Sequence, residues 1–230
     1  MEDLDDLEEA LGLTFRDRSL LFQALVHRSY LNENPDSRLL SNERLEFLGD
    51  AVLDALAAEF LFLRYPEKGE GELTLWRSAL VRTETLAGFA RQLGLGRFLV
   101  LGRGVEAEGG RDRPTLLADA FEAVLGAIYL EQGMETARRF LQPFLERALA
   151  EASGRPPLDD KSALQIAVQG RLGLTPEYRT VDAWGPDHAR TFRVEVWVGG
   201  RLLGVGEGPS KQLAQQEAAR LALKRFQEEG

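Results

Sequence analysis

The chain has 230 residues, no cysteine, two histidines and a formal charge of −9. Its length allows one large domain or two small ones, each with a core, and the missing cysteines exclude disulfides, thiol catalysis and zinc fingers. The acidity is lopsided: residues 155–230 hold 11 basic and 10 acidic residues, whereas the first 154 hold 17 basic and 27 acidic. Met1–Asp6 is acidic, unlike a signal peptide, and no apolar run reaches the length of a membrane span. A soluble, cytoplasmic protein with no membrane partner is expected.

Residues 2–12 predict a helix ended by Gly12, with Leu4, Leu7 and Leu11 on one side. A second helix is predicted from Asp17 to Ser29, in which His27 reads as structural. Asn32–Leu40 reads as a loop. From Asn42 the pattern is that of a helix running to Arg64 and stopped by Pro66. Glu43, Glu46 and Asp50, spaced three and then four apart, share one stripe of it. Asp54 falls on the same stripe and Glu59 on the other face. Taken alone, such a stripe is ordinarily a solvated acidic face. The following Glu67–Glu72 stretch is an acidic, glycine-rich loop, either simply solvated or able to return one carboxylate towards the stripe.

Residues 73–94 predict another helix, with Leu75, Ala79, Leu80, Leu86, Phe89, Ala90 and Leu93 as its core side. Gly102–Pro114 has neither a helix nor a strand period and fits no phosphate-binding fingerprint, so a mobile loop and no organic cofactor are expected. Leu116–Leu130 is apolar on nearly every side yet carries Asp119 and Glu122, three apart. Two carboxylates in a buried helix need partners. If this helix lies beside the Asn42–Arg64 helix, four or five carboxylate oxygens share one pocket. An all-oxygen pocket with no histidine or cysteine suits Mg²⁺ or Mn²⁺, and argues against zinc or di-iron. No Glu-x-x-His pair exists to support a di-iron bundle. A last amphipathic helix, Thr136–Glu151, completes an all-helical half.

Ser153-Gly154-Arg155-Pro156-Pro157 reads as the linker, placing the domains at 1–153 and 159–230 with residues 154–158 between them. Beyond it the pattern becomes α-β-β-β-α: a helix at Lys161–Leu172, strands at Tyr178–Trp184, Phe192–Val198 and Leu202–Gly206, and a helix at Ser210–Gln227. Phe192, Val194, Val196 and Val198 share one strand face, and Gly199-Gly200 is a hairpin turn. Leu213, Ala214, Ala218, Leu221 and Ala222 of the last helix are expected to face the sheet.

Asn42-Glu43-Arg44-Leu45-Glu46-Phe47-Leu48-Gly49-Asp50 resembles the signature of the bacterial ribonuclease III nuclease domain. Ala24–Ser29, Ala79-Leu80-Val81 and Leu117–Gly126 follow in that family's order. The C-terminal half resembles a double-stranded-RNA-binding domain through Leu164-Gln165, Gly185–His188, Gly206–Lys211 and Ala218-Ala219. The resemblance covers almost the whole chain. It implies an all-α endonuclease domain followed by an α+β RNA-binding domain. It further implies a homodimer that hydrolyses double-stranded RNA, including ribosomal and other precursors, with Mg²⁺ or Mn²⁺. The ends left are 5′-phosphates and 3′-hydroxyls with short 3′ overhangs. The family's metal-site carboxylates fall on Glu46, Asp50, Asp119 and Glu122, of which Asp50 and Glu122 are the hardest to replace. Glu43 and Glu70 are further acidic positions, Phe47 is a dimer contact, and Asp54 is no site position. Gln165, His188, Ser210 and Lys211 are the implied RNA contacts. The sequence departs from the family after Lys211, where Gln212, Leu213 and Gln215 stand in place of further basic residues. Fewer phosphate contacts and a shallower salt dependence are expected, unless Arg190 and Arg193 compensate.

Overall fold

The computed structural model describes residues 2–152, 160–186 and 190–228. The chain divides into two compact units, one ending at Gly154 and the other starting at Arg155; the predicted linker Ser153–Pro157 lies outside the described residues. The first unit is entirely helical: α1 (Glu2–Leu11), α2 (Arg18–Leu25), α3 (Arg28–Glu33), α4 (Glu43–Arg64), α5 (Glu70–Leu80), α6 (Thr83–Gln92), α7 (Arg103–Ala107) and α8 (Pro114–Glu151).

Its departures from the predicted elements have local causes. The helix expected over Asp17–Ser29 breaks at Val26, which forms a parallel bridge with Val100. There the His27 N–H donates to the Val100 carbonyl at 3.1 Å, and the Val100 N–H to that of Leu25 at 2.9 Å. His27 then caps α3, its Nδ1 accepting the Ser29 N–H at 3.2 Å. The helix expected over residues 73–94 starts earlier, at Glu70, and breaks at Val81–Arg82, where the Thr85 hydroxyl donates to the Ala79 carbonyl at 2.9 Å.

The stretch expected to be a mobile loop, Gly102–Pro114, contains α7 and a 3-10 turn at Gly110–Asp112. It is tied down from outside. The Glu33 carboxylate accepts the N–H groups of Arg103 and Gly104 at 3.0 and 3.3 Å. Arg111 Nη1 donates to the carbonyls of Gly96, Arg97 and Leu99 at 3.0, 3.1 and 2.9 Å. Turns this short give no period to read in the sequence.

The two helices predicted after Pro114 form one run interrupted at Gly133, whose φ of 80° suits glycine. Beyond that break Phe140 and Phe144 fold back on Phe89 and Phe121; Phe121 and Phe144 meet edge-on at 5.6 Å. Trp76, absent from the predicted core, is 1% exposed and stacks on Tyr65.

What places α4 against α8 is a pair of glycines. A Cβ on Gly49 would lie 1.8 Å from the Glu122 carbonyl oxygen, and one on Gly126 would lie 2.4 Å from that of Leu45. Backbone therefore lies directly on backbone, with no room for a side chain between.

In the second unit, α9 (Asp160–Leu172) and α10 (Lys211–Glu228) cover one face of an antiparallel sheet ordered β1 (Glu177–Trp184), β2 (Thr191–Val198), β3 (Arg201–Gly208). Tyr178 pairs with Val196, and Phe192 with Gly208. Gly199 and Gly200, at φ 56° and 80°, make the hairpin turn. Val194, Val196 and Val198 are buried as expected, and Phe192 is packed at the edge of the core. Two expectations fail: Leu213 and Leu221 are 55% and 38% exposed. The face of α10 turned to the sheet is Ala214, Ala218 and Ala222, because β3 approaches through glycines. A Cβ on Gly206 would be 2.2 Å from the Ala218 nitrogen, a gap that no leucine fits.

Gly126→Ala should cost about 1–3 kcal/mol or more by overpacking. Gly88→Ala, whose Cβ would meet nothing within 4 Å, should gain up to about 1 kcal/mol of helix propensity. Urea unfolding of both variants checks the contrast.

Candidate functional site

The acidic site begins with how α4 is started. Asn42, only 3% exposed, donates its N–H to the Val26 carbonyl at 2.8 Å, and its own carbonyl accepts the N–H groups of Leu45 and Glu46, both at 2.9 Å. The first turn of α4 is thus fixed to the Val26–Val100 bridge, and Glu46 stands in that turn, where the helix dipole favours an anion. Asp119 and Glu122 project from α8 just before Gly126, the point of closest approach.

Glu46, Asp119 and Glu122 each offer an oxygen within 4.8 Å of the others, and all three are half-buried. Burial raises the Glu46 carboxyl above the usual range, with the charges of Asp119, Glu43 and Asp50 adding to it. Burial also raises Asp119. Glu122 is pushed up to about 8, first by burial and then by the charges of Asp50, Glu46, Asp119 and Asp54. Arg28 opposes the shifts at Glu46 and Asp119 without reversing them. Carboxylates crowded out of water in this way hold their charge only with a cation among them. Their all-oxygen donor set fits a hard divalent ion such as Mg²⁺ or Mn²⁺.

The other predicted positions spread outwards from this trio. Asp50 is exposed beside it on α4, and its charge is the largest of those acting on Glu122. Asp54 faces Arg77, 3.9 Å away. Glu43 lies outside the trio: its Oε1 is 3.6 Å from an Arg28 nitrogen, and its Oε2 accepts the Ser41 hydroxyl at 2.9 Å. Glu70 is not brought to the cluster by its own chain. It stands in the first turn of α5, where its carboxylate accepts the Thr74 hydroxyl at 3.2 Å. There it lines one surface pocket with Ala58 and Phe62, which stand about two to three helical turns along α4 from Asp50. Phe47 is 81% exposed, an unusual position for so large an apolar ring.

In the second unit Gln165 is exposed on α9. Ser210 caps α10, its hydroxyl accepting the Leu213 N–H at 3.2 Å. Lys211 follows, 6.0 Å above the Phe192 ring, and the Arg190 guanidinium lies 5.9 Å from the same ring. Lys211 and Arg190 thus both approach one ring, whereas Arg193 pairs with Glu207. His188 lies outside the described residues. Sequence reasoning missed Arg28, Asn42 and the two glycines. Gly49 and Gly126 do leave a signal, since glycine inside a helix costs about 1 kcal/mol and needs a reason.

Residues 17–149 match the model of the Ribonuclease-III-like family, and residues 161–225 that of the double-stranded RNA binding motif. A Ribonuclease 3 of Roseiflexus sp. (strain RS-1) is 53% identical over 223 residues, covering 96% of this chain and 94% of that protein. The chain belongs to the ribonuclease III family. It is accordingly an endoribonuclease that acts on double-stranded RNA. A Ribonuclease 3 of Symbiobacterium thermophilum is 50% identical over 216 residues, 94% of this chain and 91% of that one. The ribonuclease III nuclease domain of Campylobacter jejuni, as a solved structure, shares the fold with a TM-score of 0.59 at 40% identity, covering 64% of this chain and 96% of that one.

The raised carboxyls set the pH response of the protein in excess chelator. Between the ordinary value of 4.5 and about 8, folded Glu122 keeps a proton that the unfolded chain has released. Its contribution to stability is therefore full below 4.5 and is lost as pH rises through about 8. Glu46 and Asp119 act in the same direction. Thermal unfolding should show Tm falling across that interval, and Glu122→Gln should flatten the fall.

Proposed function

We propose that Glu46, Asp119 and Glu122 hold a divalent cation, Mg²⁺ with Mn²⁺ able to replace it, and that Asp50 completes the site from its exposed side. The observation that carries this reading is the meeting of three half-buried carboxylate oxygens within 4.8 Å, from two helices in direct backbone contact. When bound, the ion supplies charge neutralisation at the scissile phosphate and acidifies the attacking water. Asp50 and Glu122 are the least replaceable members. Asp50, reaching solvent, orients the water, while Glu122 at the centre of the repulsion fixes the cation. Hydrolysis leaves 5′-phosphate and 3′-hydroxyl ends with short 3′ overhangs.

The active form in this reading is a homodimer, with exposed Phe47 buried against the partner subunit. A Campylobacter jejuni nuclease domain of the same family is described for structural flexibility in a region involved in dimer formation. Glu70, distant from the trio of its own chain, and Glu43 are accessory acids of the RNA-binding surface. The second unit holds the duplex through Gln165, His188, and Ser210 with Lys211. It reads shape, phosphates and 2′-hydroxyls rather than sequence, and Arg190 supplies part of the charge missing after Lys211. No helix among the described residues is long and apolar enough to cross a membrane. We place the enzyme in the cytoplasm, acting on ribosomal and other precursor RNAs.

Cleavage of a long, perfectly paired RNA with Mg²⁺, then with excess chelator, tests the reading, with single-stranded RNA and double-stranded DNA as controls. Metal-dependent shortening of the paired RNA alone is expected. Glu122→Ala should lose cleavage and keep RNA binding; near-normal turnover by that variant would refute the assignment.

A further inference from the structure

Arg28 is the cation whose charge acts on both Glu46 and Asp119. Its backbone is fixed. It opens α3 immediately after His27, whose N–H is bonded to Val100, while Val26 accepts the N–H of Asn42 at the head of α4. The side chain is open to solvent, 69% exposed, and its link to Glu43 is a 3.6 Å contact between two exposed groups. Glu43 in turn is steadied by the Ser41 hydroxyl and takes no part in the trio.

This arrangement answers a difficulty in the reaction. An RNA backbone entering the site meets Glu43, Glu46, Asp50, Asp119 and Glu122, all of its own sign. A cation inside the trio offsets that repulsion only at the phosphate it touches. The neighbouring phosphate needs a second positive group at the rim, on a rigid base and free to leave a weak partner. A guanidinium meets these needs, because its planar fork matches two phosphate oxygens and it stays charged at every working pH. An exposed pair such as Arg28–Glu43 is held weakly enough to be exchanged.

We propose that Arg28 is a phosphate clamp at the rim of the acidic cluster, gripping a backbone phosphate beside the scissile one, with Glu43 as the residue that aims it and not as a cation ligand. The inference rests on the site reading above and deepens it. Arg28 touches the substrate, whereas Glu43 acts through Arg28 as a positioning residue.

The test uses the full chain and one paired RNA hairpin at saturating Mg²⁺, with KM followed against salt concentration. Arg28→Ala should raise KM about tenfold, as expected for one lost charge-assisted contact, with a much smaller change in kcat. The slope of log KM against log salt should become shallower by about one. Arg28→Lys should keep the wild-type slope and recover only part of KM, since a point charge replaces the fork. Glu43→Gln should raise KM a few-fold and leave both the slope and the Mg²⁺ requirement unchanged. Wild-type KM and slope in Arg28→Ala, with the unmutated chain cleaving normally, would overturn the clamp alone. A raised Mg²⁺ requirement in Glu43→Gln would overturn it too, by placing Glu43 on the cation. Failure of the unmutated chain to cleave with Mg²⁺ would overturn the site reading, and the clamp with it.

Discussion

The first domain depends on one contact, the crossing of α4 and α8 where Gly49 and Gly126 let backbone lie on backbone. Helices normally stand 8–10 Å apart, separated by their side chains. Here that spacer is absent, and Glu46, Asp119 and Glu122 are carried within reach of one another as a direct result. Acids one helical turn from the crossing converge, while Asp54 and Glu59, further along α4, face arginines instead. The chemistry of the site is set by which residues flank the two glycines.

That geometry works against the stability of the isolated fold. Three half-buried carboxyls with raised proton affinity are a local conflict in a domain whose core is otherwise continuous and apolar. Surrounding structure over-determines the crossing. Phe89, Phe121, Phe140 and Phe144 lock the second half of α8 to α6, and Asn42 ties the start of α4 to the Val26–Val100 bridge. Sites that conflict with local rules persist where the rest of the structure holds them.

Much of this was legible in the sequence, and the part that was not has a common cause. The acidic stripe on α4 and the Asp119–Glu122 pair were visible because a 3.6-residue period survives in long helices. Strand β2 followed from the alternation of Phe192, Val194, Val196 and Val198, and its neighbours were read beside it, with the hairpin glycines. Lost were features without a period of their own: the cap at His27, the short α7 held by Glu33 and Arg111, and the break between α5 and α6. The exposure of Leu213 and Leu221 was misread because helix periodicity says which residues share a face, not how closely the sheet approaches. The glycines of β3 decide that distance. Arg28 was invisible for a similar reason, since its place beside the acids depends on a bridge between segments more than seventy residues apart. Glu70 shows the reverse: a residue singled out by resemblance, whose own chain keeps it away from the trio.

Among the described residues there is one carboxylate trio. A duplex has two backbones of opposite polarity, so a single trio can address only one scissile bond per docking. Nicking and double-strand scission are therefore separate events for one subunit alone, and the homodimer proposed above, with its two trios, would join them in a single docking. Nicked product would then mark a dimer in which one of the two trios is broken.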